Sequence, residues 1–256
     1  MRRTVAVLGL ALCLVLAGCG GGAGDTPTPG QSPAPGIEDG ALTDTGALLD
    51  AHESALAESG FVSVVTREGD LLQTVQRNGS TQEVLVDTRV NQTVYATAAL
   101  SGYVSTTRTE YDGRSGSQID RWANESVQYT RLVVGEQQRI QRSQPQDAAA
   151  VTSRSLLSAH LQSGNYSVVD VSGAGDDRRI TLSATGATDD PTLATGEGRQ
   201  LTEYGGTLVV DGEGRVRSLD ATFTYTVDGE TATLESTYSL RATGGVSIQR
   251  PDWLPA

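Results

Sequence analysis

Period-two alternation dominates the chain, and helical spacing interrupts it in two places. Between 217 and 227, Leu219, Ala221, Phe223, Tyr225 and Val227 share one parity, and Asp220, Thr222, Thr224 and Thr226 hold the other. Between 231 and 240, Ala232, Leu234, Tyr238 and Leu240 alternate with Thr233, Glu235, Thr237 and Ser239. Successive strand side chains point to opposite faces, so this pattern predicts antiparallel strands with one packed face and one wet face. Runs at 61–65, 71–75, 84–90, 94–98, 103–109 and 128–134 predict further strands. Turns are expected at Glu68-Gly69-Asp70, Asn78-Gly79, Asp112-Gly113, Asp211-Gly212 and Asp228-Gly229, because these residue types tolerate positive φ. The polar, glycine-rich segment 184–198 reads as a loop.

Helical spacing appears first over 43–59, where Leu48, Leu49, His52, Ala55 and Leu56 fall on one face. Thr43 or Thr45 is the expected cap, and Gly60 the expected stop. It returns over 147–163, where Ala148, Val151, Leu156, Leu157, His160 and Leu161 supply the apolar positions and Gly164 the stop. Two helices and about ten short strands predict an α+β fold: a large curved antiparallel sheet, half-barrel-like, with two main helices packed on one face. Leu48-Leu49-Asp50-Ala51-His52 matches Leu156-Leu157-Ser158-Ala159-His160, and Ser59-Gly60 matches Ser163-Gly164. Two readings stay open. Either a helix-plus-meander unit is repeated over 43–146 and 147–250, or any glycine-capped helix before a strand looks like this.

The N-terminal region follows different rules. Residues 5–16 are almost uninterruptedly apolar behind Met1-Arg2-Arg3, yet too few to cross ~30 Å of hydrocarbon as a helix. Residues 1–18 therefore read as a signal peptide. Leu16-Ala17-Gly18-Cys19 resembles the lipobox of prokaryotic lipoproteins. That resemblance implies cleavage before Cys19, a lipid on its thiol, and a protein held at the extracellular face of the cell membrane. Cys13 leaves with the leader, so the mature chain has no internal disulfide. Residues 19–42, rich in Gly, Pro and Thr, read as a disordered tether, and 43–256 as a single α+β domain.

Composition sharpens this setting. Lysine is absent: arginine supplies all 19 basic residues against 31 acidic ones, for a net charge of −12. An acidic, lysine-free chain resembles proteins of extremely halophilic archaea, where carboxylates hold the surface soluble and salt screens their repulsion. The same charge argues against a nucleic-acid partner. All four asparagines, Asn78, Asn91, Asn124 and Asn165, lie in Asn-x-Ser/Thr sequons, which marks them as candidate N-glycosylation sites.

Catalytic chemistry is poorly provided for. Without lysine there is no Walker A loop and no Ser-Lys dyad, and Gly113-Arg114-Ser115-Gly116-Ser117 misses the nucleophile-elbow spacing by one position. His52 and His160, the two histidines, are expected as partly buried side chains bonded to backbone or carboxylate, with too few further ligands for zinc. Asp176-Asp177, Asp189-Asp190 and Asp211-Gly212-Glu213 do not fit an EF-hand loop. No catalytic residue, metal or cofactor is expected, and no ligand-binding residue is assigned.

A helix, a β-meander, a second helix and a second meander behind a lipobox resemble lipoprotein-carrier half-barrels of the LolA and LppX type. The lipobox, the acidic Pro/Thr tether, the helix carrying Ala51-His52 and closing at Ser59-Gly60, and Arg250-Pro251-Asp252-Trp253-Leu254 together resemble a haloarchaeal lipoprotein family without assigned function. These resemblances imply a non-enzymatic surface lipoprotein that holds an apolar molecule or lipid in its half-barrel. The alternative is a structural or interaction role with a protein of the glycosylated envelope.

Overall fold

The computed structural model describes residues 34–77, 80–193, 199–227 and 229–254. Cys19 and Asn78 lie outside them, as do the leader and most of the tether. Among the described residues, thirteen strands and three α-helices follow in chain order: β1 (Ile37–Glu38), β2 (Ala41–Leu42), α1 (Thr45–Ser59), β3 (Phe61–Arg77), β4 (Ser80–Ala96), β5 (Gly102–Tyr111), β6 (Arg114–Asn124), β7 (Gln128–Val134), β8 (Gln137–Ser143), α2 (Ala148–Val151), α3 (Arg154–Ser163), β9 (Gly164–Ser172), β10 (Arg179–Ala187), β11 (Arg199–Asp211), β12 (Val216–Val227) and β13 (Glu230–Thr243). All strands join one antiparallel sheet in the order β1-β2-β9-β10-β11-β12-β13-β3-β4-β5-β6-β7-β8. The sheet is curved and open, with β1 and β8 at its edges. The architecture is the expected α+β one: each main helix, α1 and α3, leads into a meander. The two meanders meet at a single seam, where β13 pairs with β3.

One row of cross-strand neighbours shows why the helices sit where they do. It runs Val168, Leu182, Leu208, Leu219, Tyr238, Val65, Gln92, Thr107, Ile119 and Leu132 across ten strands. From β9 to β3 the row is aliphatic or aromatic and must be covered; at β4 and β5 it becomes polar. Leu48, Leu49 and Leu56 of α1 and Leu157 and Leu161 of α3 are buried against the apolar part, within a core that includes Phe61, Leu219, Leu234 and Tyr238. Burying one such leucine contributes roughly 1.5–3 kcal/mol. The alternation read in β12 and β13 appears as expected: Leu219, Ala221, Phe223, Tyr225 and Val227 are buried, with Asp220 and Thr222 exposed on the other face.

Several elements depart from the sequence reading. The expected turn at Glu68-Gly69-Asp70 is absent, and β3 runs through it for 17 residues, as does β4 beside it. Gly69 has φ +133°, and a Cβ there would lie 2.2 Å from the Thr233 carbonyl oxygen. Glycine was thus needed for a close backbone approach inside the sheet. Segment 184–198, read as a loop, begins as strand, since β10 continues to Ala187. The tether reading also ends earlier than expected. Ile37 is fully buried, and β2 docks Ala41 against Ser167 of β9, so residues from Ala34 onward belong to the folded unit.

The cap of α1 is neither Thr43 nor Thr45. Asp44 accepts the Ala47 N–H at 2.9 Å, and the Gly60 N–H closes the helix on the Leu56 carbonyl. The second helix is broken in two. Ser153 adopts a left-handed φ of +63°, which ends α2 one turn after its Asp147 cap and starts α3 in a new direction. The chain closes along the β7 side of the sheet, where the Arg131 guanidinium stacks 5.1 Å from the ring of Trp253.

Candidate functional site

The two matched histidines occupy corresponding places. His52 on α1 meets Tyr238 edge-on with ring centroids 5.8 Å apart, and His160 on α3 meets Phe223 edge-on at 5.7 Å. Both are essentially inaccessible. Nδ1 of His52 accepts the Val216 N–H at 3.1 Å, which pins α1 to the β11–β12 hairpin. Its Nε2 therefore carries the proton; the Thr152 backbone is its polar neighbour, without regular hydrogen-bond geometry. The expected backbone bond is thus found for His52. His160 instead lies 3.3 Å from the Tyr204 hydroxyl, itself 2.7 Å from that of Tyr166. Burial lowers both imidazole pKa values to about 4, so both are neutral near pH 7. Burial likewise pushes Tyr166 up to about 12, partly offset by its bond to Tyr204. Gly206 makes room for the tyrosine pair, since a Cβ there would lie 2.7 Å from the Tyr166 oxygen. The His52 and His160 rings thus pack apart, each with its own aromatic partner. Among the described residues, no group of three or more His, Cys, Asp or Glu side chains gathers at metal-binding spacing.

Asp211 is also buried, in a structural role. Its Oδ1 accepts the N–H groups of Glu213 and Arg215, and its Oδ2 the Arg215 Nε at 2.8 Å. This fixes the hairpin that His52 grips.

A hollow of about 380 Å³ opens where α2 and α3 cross β3 and β4. Its apolar wall comes from Val65, Ala149, Ala150, Leu156, Ala159 and Leu193, and its polar positions from Arg67, Gln92, Ser153 and Ser155. The left-handed Ser153 builds part of it by turning α2 away from α3. Leu193 is held at the mouth because the Thr192 and Leu193 N–H groups both donate to the buried Ser163 Oγ, at 3.0 and 2.9 Å. The size falls within the range of small-molecule pockets, which combine apolar walls with a few polar groups.

Arg67 is the distinctive member. It follows Phe61, Ser63 and Val65 on the packed parity of β3, but unlike them it is exposed. It makes no hydrogen bond or ion pair with any described residue. Partial desolvation of this exposed side chain by its neighbours lowers its pKa from the usual arginine value. Three arginines elsewhere are held by carboxylates: Arg131 by Asp120, Arg154 by Asp50 and Glu53, and Arg215 by Asp211 and Glu213. Sequence reasoning did not single out Arg67. Its parity with Val65 was the available signal.

The remaining sequons lie apart from this hollow. Asn91, in β4, is exposed. Asn124 is exposed at the β6–β7 turn, where its Oδ1 accepts the N–H groups of Ser126 and Val127. Asn165 is exposed in β9, and its Nδ2 donates to the Ala187 carbonyl at 2.9 Å. No helix of the described residues is long and apolar enough to cross a membrane.

Comparison with known proteins adds a family and a distant fold likeness. A β-barrel-like protein from Brucella abortus, comprising the domain of unknown function DUF1849, is similar to this chain at 10% identity and a TM-score of 0.27, covering 75% of this chain and 99% of its own. Among curated proteins none matches. Over residues 4–256 the sequence fits one family model, and the chain belongs to that family of unknown function, DUF7537.

Proposed function

We propose that this protein is a lipid-anchored, non-enzymatic surface lipoprotein of haloarchaeal type that holds an apolar small molecule or lipid against the helix-covered side of its open sheet. The observation that carries this reading is the hollow beneath α2 and α3, with Leu156, Leu193 and Val65 on its wall. The lipobox at Cys19 and the acidic, lysine-free composition support the anchor and the setting. N-glycans on the exposed Asn91 and Asn124 fit the same location. At Asn124 the turn engages only the side-chain oxygen, which leaves Nδ2 free for a sugar.

Organic extraction of the purified native protein, followed by mass spectrometry, tests the binding reading. A near-stoichiometric apolar compound is expected, and it should be lost when Leu156→Asp places a charge in the wall. Recovery of the same compounds from both proteins would refute it. The anchor has its own test: Cys19→Ser should move the protein from the detergent phase to the aqueous phase, and an unchanged partition would exclude lipidation there.

A second reading rests on β8. It is exposed at every position and hydrogen-bonded to β7 on one side only, so an extended segment of an envelope protein could add as a further strand. Recovery of one partner from native membranes at high salt, lost on placing proline at Gln138 or Ile140, would favour it.

A further inference from the structure

We infer that the helix-side face of β3–β8 is a binding surface for an acidic polysaccharide, whose carboxylate or sulfate groups pair with Arg67, Arg114, Arg121 and Arg139. This surface lies beside the apolar hollow and does not depend on a ligand being held there.

The sheet sorts its charges by face. Strand side chains alternate, so the pairing registers assign each residue to one face or the other. The helix side of β3–β8 carries Arg67 on β3, Arg114 and Arg121 on β6, and Arg139 on β8. Among the described residues of these strands, no aspartate or glutamate shares that face. The opposite face carries Glu68, Asp70, Asp87, Glu110 and Asp120, and there acids meet arginines, Glu68 with Arg89 and Asp120 with Arg131. Glu125, Glu136 and Asp112 sit in the turns between strands, and Asp147 caps α2. The chain has 31 acidic and 19 basic residues, so a strand face bearing arginine alone runs against its composition. The net charge of −12 repels a polyanion from the rest of the surface and leaves this face as its place to dock.

The neighbours of these arginines set the class of polyanion. Ser105, Arg121, Thr130 and Gln141 form one cross-strand row, and Gln92, Thr107, Ile119, Leu132 and Arg139 the next. Hydroxyl and amide side chains both donate and accept, as sugar hydroxyls do. The guanidinium fork matches the paired oxygens of a carboxylate or sulfate. Leu132, Arg139 and Gln141 are exposed, so the outer part of the face is open to a ligand. Strands lie ~4.8 Å apart and rise ~3.3 Å per residue, which puts Arg121 ~12 Å from Arg139 and ~20 Å from Arg67 along the sheet. Charges so spaced suit a chain that repeats its anionic groups, not one compact anion. An extended acidic peptide binds through its backbone at a strand border, whereas a sheet face offers side chains alone. On one side α2 and α3 rise over β3 and β4, so the face is flanked by a wall that a flat bilayer would meet first.

Calorimetric titration of the full chain with polygalacturonate, dextran sulfate, neutral dextran and polyglutamate tests this, in salt that keeps the chain folded. At least one acidic polysaccharide should bind about tenfold or more tightly than dextran and polyglutamate, and less tightly as salt rises. Comparing the two acids assigns carboxylate or sulfate. Arg121→Gln with Arg139→Gln should weaken that binding about tenfold. Arg89→Gln with Arg108→Gln removes the same charge from the opposite face and should leave binding unchanged. Arg139 is exposed, so Arg139→Gln alone should keep the parent's urea midpoint and still weaken binding about threefold. If neither acidic polysaccharide binds, or dextran binds as well as they do, the inference falls. If polyglutamate binds as tightly, the face takes an acidic peptide and the inference falls. Equal losses from the two double variants would reveal a general charge effect and overturn it too.

Discussion

Lowering the pH from 7 to 4.5 drives a proton onto imidazoles that the folded chain keeps neutral. His52 and His160 titrate near 6.5 when unfolded and near 4 when folded, because burial penalises the charged form. The folded values lie below the unfolded ones, so the unfolded chain binds more protons between the two. Stability is therefore full above pH 6.5, falls as the pH drops toward 4, and levels off below that. At pH 4.5 the loss is ~2.5 kcal/mol per histidine, or ~5 kcal/mol for the pair, against a typical total of 5–15. Urea unfolding at a series of pH values measures it. High salt should be present to suppress changes in surface repulsion as the carboxylates begin to protonate. His52→Gln keeps an acceptor for the Val216 N–H but cannot take up a proton, so its stability should fall about half as steeply between pH 6.5 and 4.5. A variant as steep as the parent would refute the reasoning, since the slope would then have another origin.

Two further changes probe the frame around the site. Asp211→Ala takes the acceptor from two turn N–H groups and one of the two carboxylates that hold the Arg215 guanidinium, and should cost about 3–5 kcal/mol in urea unfolding; an effect below ~1 kcal/mol would show that the hairpin holds without it. Gly69→Ala should cost upwards of ~2 kcal/mol, because its Cβ meets the Thr233 carbonyl at an unfavourable φ, whereas Gly113→Ala, with open space around it, should cost only ~1 kcal/mol; equal losses would mean that φ alone matters.

The parts of the fold legible in the sequence were those where burial imposed a period. β12 and β13 alternate cleanly because one face meets the core and the other meets water. β8 was invisible for the opposite reason: Gln-Gln-Arg-Ile-Gln-Arg-Ser is wet on both faces and carries no alternation. Gly69 misled because glycine signals both a turn and a tight backbone crossing, and only the distant Thr233 decides between them. Ile37 is a single apolar residue among prolines and glycines, too little for a pattern, yet its burial extends the fold into the tether. The break at Ser153 left the helical spacing intact on both sides and so left no trace. Of the candidate site, the apolar positions were readable as helix and strand faces. Arg67 was not, because nothing in its own stretch of sequence shows that the later helices α2 and α3 come to lie beside it.

The seam between the meanders sets an order of events. β3 leaves the ribosome well before β13, the strand that completes its far side. Until then the first half of the chain exposes a long row of unsatisfied amides and carbonyls along β3. Pairings between distant segments form slowly, and bare strand borders recruit other chains. A chain stopped short of residue 230 should therefore clump rather than yield a smaller working protein, and folding should await the last strand.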